Sequence, residues 1–221
     1  MIMITLNHLS LGYGSKGVIS DLNLTIAKGE FLVVVGENGV GKTTLIKSLL
    51  GQLAPHAGKL TIADGVKIGY VPQFRNLDSE YPLSIRDFVA LNVRPTWRPW
   101  LTQVERQQVE TVLAKTNLTR LADRPLGLAS GGEKQRAYLA QSLLASPDLL
   151  ILDESTASLD PDSKVELLSL VKQLQTEGLT IIFVTHDWDL ARQFGTHFLH
   201  MDAGCYRNGP IAELDQHLGG K

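Results

Sequence analysis

The sequence has little cysteine, no marked excess of charge and no long apolar run, and each absence disfavours a class of protein. Cys205 is the single cysteine among 221 residues, so no intrachain disulfide can form and nothing points to an oxidising compartment. The formal net charge is -2 at pH 7, without a block of like charges. We therefore expect no nucleic-acid partner.

The apolar runs are short. The runs at 31–35, 149–152 and 181–184 fall far below the roughly 20 residues that a bilayer-spanning helix needs. The first residues also lack a basic segment followed by a long apolar stretch, so no secretory signal is expected. Since 43% of the residues are hydrophobic, the chain can bury a sizeable core. We expect a soluble cytoplasmic enzyme, and any membrane part of its process should be a separate polypeptide.

A glycine-rich loop is the most informative feature. The segment 36–44 reads GENGVGKTT and lies between the apolar run 31–35 and the segment LIKSLL at 45–50, so it fits G-x-x-x-x-G-K-[ST] between a strand and a helix. Its glycines allow backbone N–H groups to converge on a phosphate, and the N-terminus of the following helix adds partial positive charge. The predicted nucleotide-binding residues are Gly36, Glu37, Asn38, Gly39, Val40, Gly41, Lys42, Thr43 and Thr44.

Two residues of this loop are predicted to make specific contacts with the nucleotide and its metal ion. Lys42 is placed to reach the β- and γ-phosphates, and the Thr43 hydroxyl to bind Mg²⁺. A plain glycine turn between strand and helix would explain the glycines. It would leave the Lys-Thr pair unexplained, so a nucleotide site is favoured.

The rest of the chain indicates an α/β protein. Segment 2–26 alternates apolar and polar residues around a turn at 12–15, which indicates antiparallel strands with one exposed face. Two further short strands are predicted at 59–62 and 67–71. The C-terminal half predicts a parallel sheet covered on both faces. There helices at 133–145 and 161–175 alternate with apolar strands at 149–152 and 180–184.

From about residue 77 to 125 the spacing becomes helical, with helices predicted around 85–91 and 104–113. We interpret this region, extended to about 146, as a helical lobe inserted into a single domain covering 1–221. Prolines interrupt the helical pattern at 94–100. The two tryptophans there, Trp97 and Trp100, either face a partner or pack beneath a loop, and packing is favoured.

An acidic pair follows the apolar run 149–152. Open α/β sheets bind ligands at the carboxyl ends of their strands, so Asp153 and Glu154 are placed at a binding edge. There Asp153 would hold Mg²⁺ and Glu154 would orient and deprotonate the attacking water. The pair alone is a weak signal, but together with the phosphate loop it is strong.

Several further motifs occur in order, and with them the chain resembles the ATP-binding-cassette (ABC) ATPases over about residues 6–204. Segment 128–136 is similar to the signature, usually written LSGGQ, and Gln73 resembles the glutamine of the Q-loop. Segment 158–160 resembles the D-loop, His186 the switch histidine, and Tyr13 the aromatic residue that stacks on adenine. Taken singly, Gln73, His186 and Tyr13 would be ordinary loop residues.

The resemblance implies a P-loop NTPase core with a mostly parallel sheet, an N-terminal antiparallel β subdomain and an inserted helical subdomain. It implies ATP and Mg²⁺ as cofactors, with metal contacts from Thr43, Gln73 and Asp153 and catalysis by Glu154 and His186. Two copies would form a homodimer with ATP between the phosphate loop of one and the signature residues of the other. These are Ser130, Gly131, Gly132 and Glu133.

The same resemblance implies partners. An integral membrane permease would be a separate chain, an extracytoplasmic solute-binding protein would belong to the same system, and this chain would lie at the cytoplasmic face of the membrane. Segments 69–73 and 81–89, with Asp78 between them, look most like zinc, manganese and iron import ATPases, and Glu133 recurs in that group. A divalent metal importer is therefore the first choice.

Other functions stay open. One alternative is the ATPase of an importer or exporter for another solute. A second alternative, a soluble cassette ATPase of DNA repair or translation, is opposed by the absence of a long coiled coil, a second cassette and a basic surface. A P-loop GTPase is opposed by the missing Asn-Lys-x-Asp motif. The chain is not expected to bind the metal itself, since His197 and His200 lie three apart in a predicted strand and point to opposite faces.

Some positions depart from the usual family pattern. Glu133 replaces the signature glutamine, and an acid near the γ-phosphate would repel it unless its charge is used in the helix cap. Ser130 and Glu133 do form a capping-box pattern, which is compatible with the signature role. Asp160 followed by Pro161 predicts another helix start.

Overall fold

The computed structural model describes residues 1–73, 81–93, 100–156 and 159–214 of the chain. Within these ranges the strands form a three-stranded sheet and a six-stranded sheet, with helices packed against them. The predicted α/β class is confirmed.

The three-stranded sheet is antiparallel. It contains β1 (Ile2–Tyr13), β2 (Lys16–Ala27) and β4 (Ala57–Ile62), in the order β2-β1-β4. In β2 the side chains of Leu22, Leu24 and Ile26 are buried, while the residues between them are exposed. The alternation predicted for this segment is therefore confirmed, because successive strand residues point to opposite faces.

The six-stranded sheet carries the site. Its strands are β3 (Phe31–Val35), β5 (Ile68–Val71), β6 (Leu149–Asp153), β7 (Thr180–Thr185), β8 (His197–Asp202) and β9 (Cys205–Pro210). They lie in the order β5-β6-β7-β3-β8-β9, and all neighbouring pairs are parallel except β8 with β9. Every residue of β3, β6 and β7 is buried, as apolar runs without alternation predict.

Helices cover both faces of this sheet. Helix α1 (Lys42–Leu49) packs into the core shared with the antiparallel sheet. Helices α5 (Pro161–Thr176) and α6 (Trp188–Phe194) pack into the core on the other face. The predicted start of α5 is confirmed, since Asp160 caps it and Pro161 occupies its first turn.

The remaining helices have a core of their own. Helices α2 (Ile85–Ala90), α3 (Gln103–Lys115) and α4 (Gly131–Leu143) bury Phe88, Leu113 and other apolar side chains against one another. All three fall inside the predicted lobe 77–146, whose bounds stay a prediction.

Trp100 precedes α3, and its side chain is 64% exposed. The interpretation that it packs beneath a loop is therefore wrong for this residue. Trp97 and Asp78 lie outside the described residues.

Over the described ranges, no helix combines the length and the apolar character that crossing a bilayer would demand.

Truncating a core aromatic residue tests this packing. Phe183 in β7 is fully buried, and its ring meets that of Phe31 edge to face, with centroids 6.4 Å apart. We expect Phe183→Ala to lower the free energy of unfolding in urea by about 3 to 5 kcal/mol, because it removes apolar contacts and leaves a cavity. The control Val104→Ala, at a side chain that is 67% exposed, should change it by no more than about 0.5 kcal/mol. Equal effects of the two changes would contradict the assigned core.

Candidate functional site

The phosphate loop connects the end of β3 to the start of α1. Gly39 and Gly41 have φ angles of 86° and 108°, in the left-handed region that favours glycine. At Gly36 a Cβ would lie 2.2 Å from the carbonyl oxygen of Met201 in β8. Gly41 is the N-cap of α1, and no side chain among the described residues forms a capping hydrogen bond there. The loop therefore passes close to β8 and presents backbone N–H groups at the start of α1.

Lys42 is buried, with 6% of its surface exposed. Its Nζ donates hydrogen bonds to the carbonyl oxygens of Gly36 and Glu37, at 2.8 and 2.9 Å, and lies 3.9 Å from Oε1 of Glu154. Burial lowers the pKa of Lys42, while the nearby charges of Glu154 and Asp153 act in the opposite direction. The ammonium is thus held over the loop, close to the acidic pair. The side chain of Thr43 is exposed at the next position and that of Thr44 is buried.

The acidic pair lies at the carboxyl end of β6. Asp153 is buried, and burial raises its pKa, opposed by the Tyr70 hydroxyl, which donates a hydrogen bond to Oδ2 at 3.1 Å. Glu154 follows with a φ of 44°, unusual for a residue other than glycine, and its N–H donates to the carbonyl of Val184. This local conformation turns the chain out of the strand immediately after Asp153.

Gln73 joins the same group. It lies just beyond β5, the neighbour of β6, and its Nε2 donates a hydrogen bond of 3.0 Å to Oε2 of Glu154. The structure therefore brings together Lys42, Asp153, Glu154 and Gln73, which the sequence places up to 112 positions apart. Tyr70 was not predicted from the sequence as a site residue.

His186 is exposed and directly precedes Asp187, the cap of α6. It follows β7, the neighbour of β6, and shares one small cleft with Glu154. That cleft is lined by Glu154, Thr156, Lys164, Thr185, His186 and Asp187. The histidine is thus placed next to the acidic pair.

Tyr13 ends β1 beside the first turns of α1. Its side chain is partly exposed, and Nζ of Lys47 lies 5.5 Å from the ring centroid. A hydrogen bond with the Thr44 side chain lowers the pKa of Tyr13, and Lys47 adds to the effect. An aromatic ring is therefore available beside the helix that follows the phosphate loop.

The signature residues open helix α4. The predicted capping box is confirmed: Ser130 Oγ accepts from the Glu133 N–H at 3.2 Å, and Glu133 Oε2 accepts from the Ser130 N–H at 2.7 Å. A Cβ at Gly131 would lie 3.2 Å from Leu159, and one at Gly132 would lie 3.0 Å from the Ser163 hydroxyl. Small residues therefore let the start of α4 lie against the start of α5.

The signature residues lie apart from the group formed by Lys42, Gln73, Asp153 and Glu154. Among the described residues, no hydrogen bond or ion pair joins Ser130 or Glu133 to Lys42, Asp153 or Glu154. Glu133 is instead paired with Arg124, which the sequence did not single out. Of the predicted D-loop, Ser158 lies outside the described residues.

Gln135 connects α4 with the acidic pair and was also not predicted. It is fully buried, and its side-chain amide donates to the carbonyl oxygen of Ser155, the residue after Glu154. The buried atoms Oε1 of Gln135 and Oγ of Ser155 have no hydrogen-bond partner among the described residues. This hydrogen bond attaches helix α4 to the segment that carries Glu154.

His197 and His200 both lie in β8, as predicted. Within the ranges that the structure describes, no three His, Cys, Asp or Glu side chains are grouped so that they could hold a metal ion.

A change at Tyr70 tests the electrostatics of Asp153. In Tyr70→Phe the carboxylate loses the donor that favours its ionised form, so the pKa of Asp153 should rise further above the usual aspartate value. Carboxyl ¹³C NMR of the protein without nucleotide or metal measures this shift. The control is Tyr206→Phe, since the Tyr206 hydroxyl accepts from Ser20 instead. An Asp153 pKa unchanged or lowered in Tyr70→Phe would contradict the assigned contact.

The chain is similar in sequence to known proteins. The ABC transporter family matches residues 19–157. The zinc import ATP-binding protein ZnuC of Yersinia pestis bv. Antiqua (strain Antiqua) is 37% identical over 190 residues, which cover 86% of this chain and 72% of that protein.

Solved structures share the whole fold. A structure presented as an inward-facing metal-chelate type ABC transporter matches with a TM-score of 0.87 at 28% identity, over 96% of this chain and 85% of that chain. CbiO1 of Clostridium perfringens, part of the ABC transporter complex cbiONQ, matches with a TM-score of 0.86 at 28% identity, over 98% and 92% of the two chains. Together with the phosphate loop and the acidic pair, these matches lead to one conclusion: the chain belongs to the ABC transporter family and is one of its ATPases.

Proposed function

We propose that this ATPase powers the import of zinc as the ATP-binding subunit of an ABC transporter. One observation supports the site: the phosphate loop, Lys42 and the pair Asp153 and Glu154 meet at the carboxyl edge of the parallel sheet. The similarity to zinc import ATP-binding proteins supports the transported ion. The relatives do not favour export or another solute.

The loop residues 36–44 would bind the triphosphate. No side chain in the described part of the chain caps the start of α1, so its backbone N–H groups are available to an anion, and the buried lysine supplies a full positive charge. Lys42 Nζ donates hydrogen bonds to the carbonyl oxygens of Gly36 and Glu37. Phosphate oxygens would take over part of this role, since they are charged acceptors. The Tyr13 ring would stack on adenine.

The donor set suits Mg²⁺. Thr43, Gln73 and Asp153 offer hydroxyl, amide and carboxylate oxygens, the ligands that Mg²⁺ prefers. The burial of Asp153, which raises its pKa, leaves a desolvated carboxyl group that a cation would stabilise in its ionised form. When bound with ATP, Mg²⁺ would neutralise charge on the β- and γ-phosphates.

Hydrolysis would depend on Glu154. Its carboxylate is held by Gln73 on one oxygen and lies near Lys42 on the other, so it is oriented where the γ-phosphate would end. In that position it would accept a proton from the attacking water. His186, which lines the same cleft as Glu154, would contact the γ-phosphate.

The signature residues would act in a homodimer. Ser130, Gly131, Gly132 and Glu133 begin a helix whose N-terminus favours anions, and within one chain they form a group apart from the phosphate loop. A second copy, arranged head to tail, would bring them to the ATP bound by the first. Such closure, driven by phosphate charge, would be released by hydrolysis.

The helical lobe would connect this cycle to a membrane permease. It carries the exposed Trp100, and along the chain it lies between Gln73 and Glu154, whose side chains are hydrogen-bonded to each other. The chain would then work at the cytoplasmic face of the membrane, in a system with an extracytoplasmic zinc-binding protein.

Replacing the proposed base tests the mechanism. Glu154→Gln keeps a side chain of the same size that can still bond to Gln73, but it cannot take up a proton near neutral pH. We expect ATP binding to be retained, turnover to fall by about 10² to 10⁴-fold, and an ATP-bound dimer to accumulate. Phosphate release, ATP binding and light scattering measure the three effects. Glu177→Gln, at the far end of α5, is the matched control. Normal turnover in Glu154→Gln would remove Glu154 from this role.

The transported ion has its own test. A strain lacking this gene should grow poorly when zinc is chelated and recover with added zinc, and the intact gene should complement it while a Lys42→Ala version should not. A permease copurifying with the intact protein would support a transporter complex. A growth defect relieved by another metal and not by zinc would contradict the proposed solute.

A further inference from the structure

The signature carries a negative charge at the place where the proposed dimer would receive a triphosphate. Glu133 lies in the first turn of α4, with 17% of its side chain exposed. Like charges at short range repel each other, and the repulsion grows as water is excluded from a closing interface. If the site is to accept ATP, we therefore expect a positively charged group that offsets the charge of Glu133.

Arg124 of the same subunit supplies this positive charge. Its Nη1 donates to Oε2 of Glu133 at 3.2 Å, the same oxygen that accepts from the Ser130 N–H. Its Nη2 donates to the carbonyl oxygen of Leu128 at 2.7 Å. One guanidinium group thus connects the signature carboxylate with the backbone just before the cap.

The position of Arg124 is itself fixed. Its carbonyl oxygen accepts from the N–H of Ile85 at 3.0 Å, and its own N–H donates to the carbonyl of Leu121. The first bond attaches it to the start of α2, and the second closes the turn that precedes it. The guanidinium therefore approaches Glu133 from a part of the helical lobe that is held by backbone hydrogen bonds.

We propose that Arg124 is a positioning residue of the ATP site shared between two subunits. It holds Glu133 in the capping box and compensates its charge, so that a signature with glutamate in place of glutamine presents a helix start that accepts the partner's ATP. This inference rests on the proposed homodimer. A lysine at this position would keep the charge but could not bond to Glu133 and Leu128 with one planar fork.

A double-mutant cycle separates this role from simple support of the fold. The cycle is made in the Glu154→Gln protein, where the ATP concentration for half-maximal dimer formation is read by light scattering. We expect Arg124→Ala to raise that concentration about tenfold or more when Glu133 is present, and less than about threefold when Glu133→Gln has removed the charge. Arg124→Lys should fall between the native residue and alanine.

Salt gives an independent readout. Raising the ionic strength from about 0.1 to 1 M shortens the Debye length from about 10 to 3 Å, so the penalty of Arg124→Ala relative to the native residue should shrink. Arg120→Ala, at an exposed arginine of the same lobe, is the control and should leave dimer formation unchanged. ATP binding by the separate subunit, measured at low protein concentration, should be the same with and without Arg124, because Arg124 contacts the signature and not the phosphate loop.

The outcomes are distinguishable. An equal penalty of Arg124→Ala with Glu133 and with Gln at that position, insensitive to salt, would overturn the inference and assign Arg124 a structural role only. A lack of any ATP-dependent dimer in Glu154→Gln itself would contradict the proposed homodimer, and this inference with it. A penalty confined to the Glu133 background and reduced by salt would establish charge compensation.

Discussion

Burial of opposite charges at one sheet edge is the constraint on which the site depends. Lys42 and Asp153 are both buried, and burial lowers the pKa of the lysine and raises that of the aspartate, so each charged form needs partners. Strands β3, β7 and β6 are parallel neighbours and end together, which brings these groups within reach of each other. A triphosphate with a divalent cation would supply counter-charges to both.

The second group of functional residues depends on packing between the helical lobe and the core. Gln135 bonds to the carbonyl of Ser155, and Gly132 lies against Ser163, so α4 is connected both to the segment after Glu154 and to the start of α5. A shift of the lobe would therefore displace the segment that follows Glu154. This gives a physical route by which the proposed docking at the lobe and the proposed chemistry at the sheet edge would influence each other.

Local patterns in the sequence were enough for most elements and for several site residues. The alternating β2, the buried β6, the capping box of Ser130 and the Asp160 cap are each specified by neighbours within a few positions, and the structure confirms them. Trp100 was predicted wrongly, because whether a loop covers a ring depends on segments far along the chain. Tyr70, Gln135 and Arg124 were missed for the same reason, since their hydrogen-bond partners lie on other segments of the chain and give no local signal.

By itself, the sequence determined the fold class, the phosphate loop and the identity of the acidic pair, because strand and helix periodicity, glycine conformation and helix capping act over short distances. Tertiary structure alone decided that Gln73 meets Glu154, that a Cβ at Gly36 would collide with Met201, and that Arg124 faces Glu133. Those contacts arise from strand order and from helices packing across the chain. They exist only once the apolar faces of distant segments have been buried against each other.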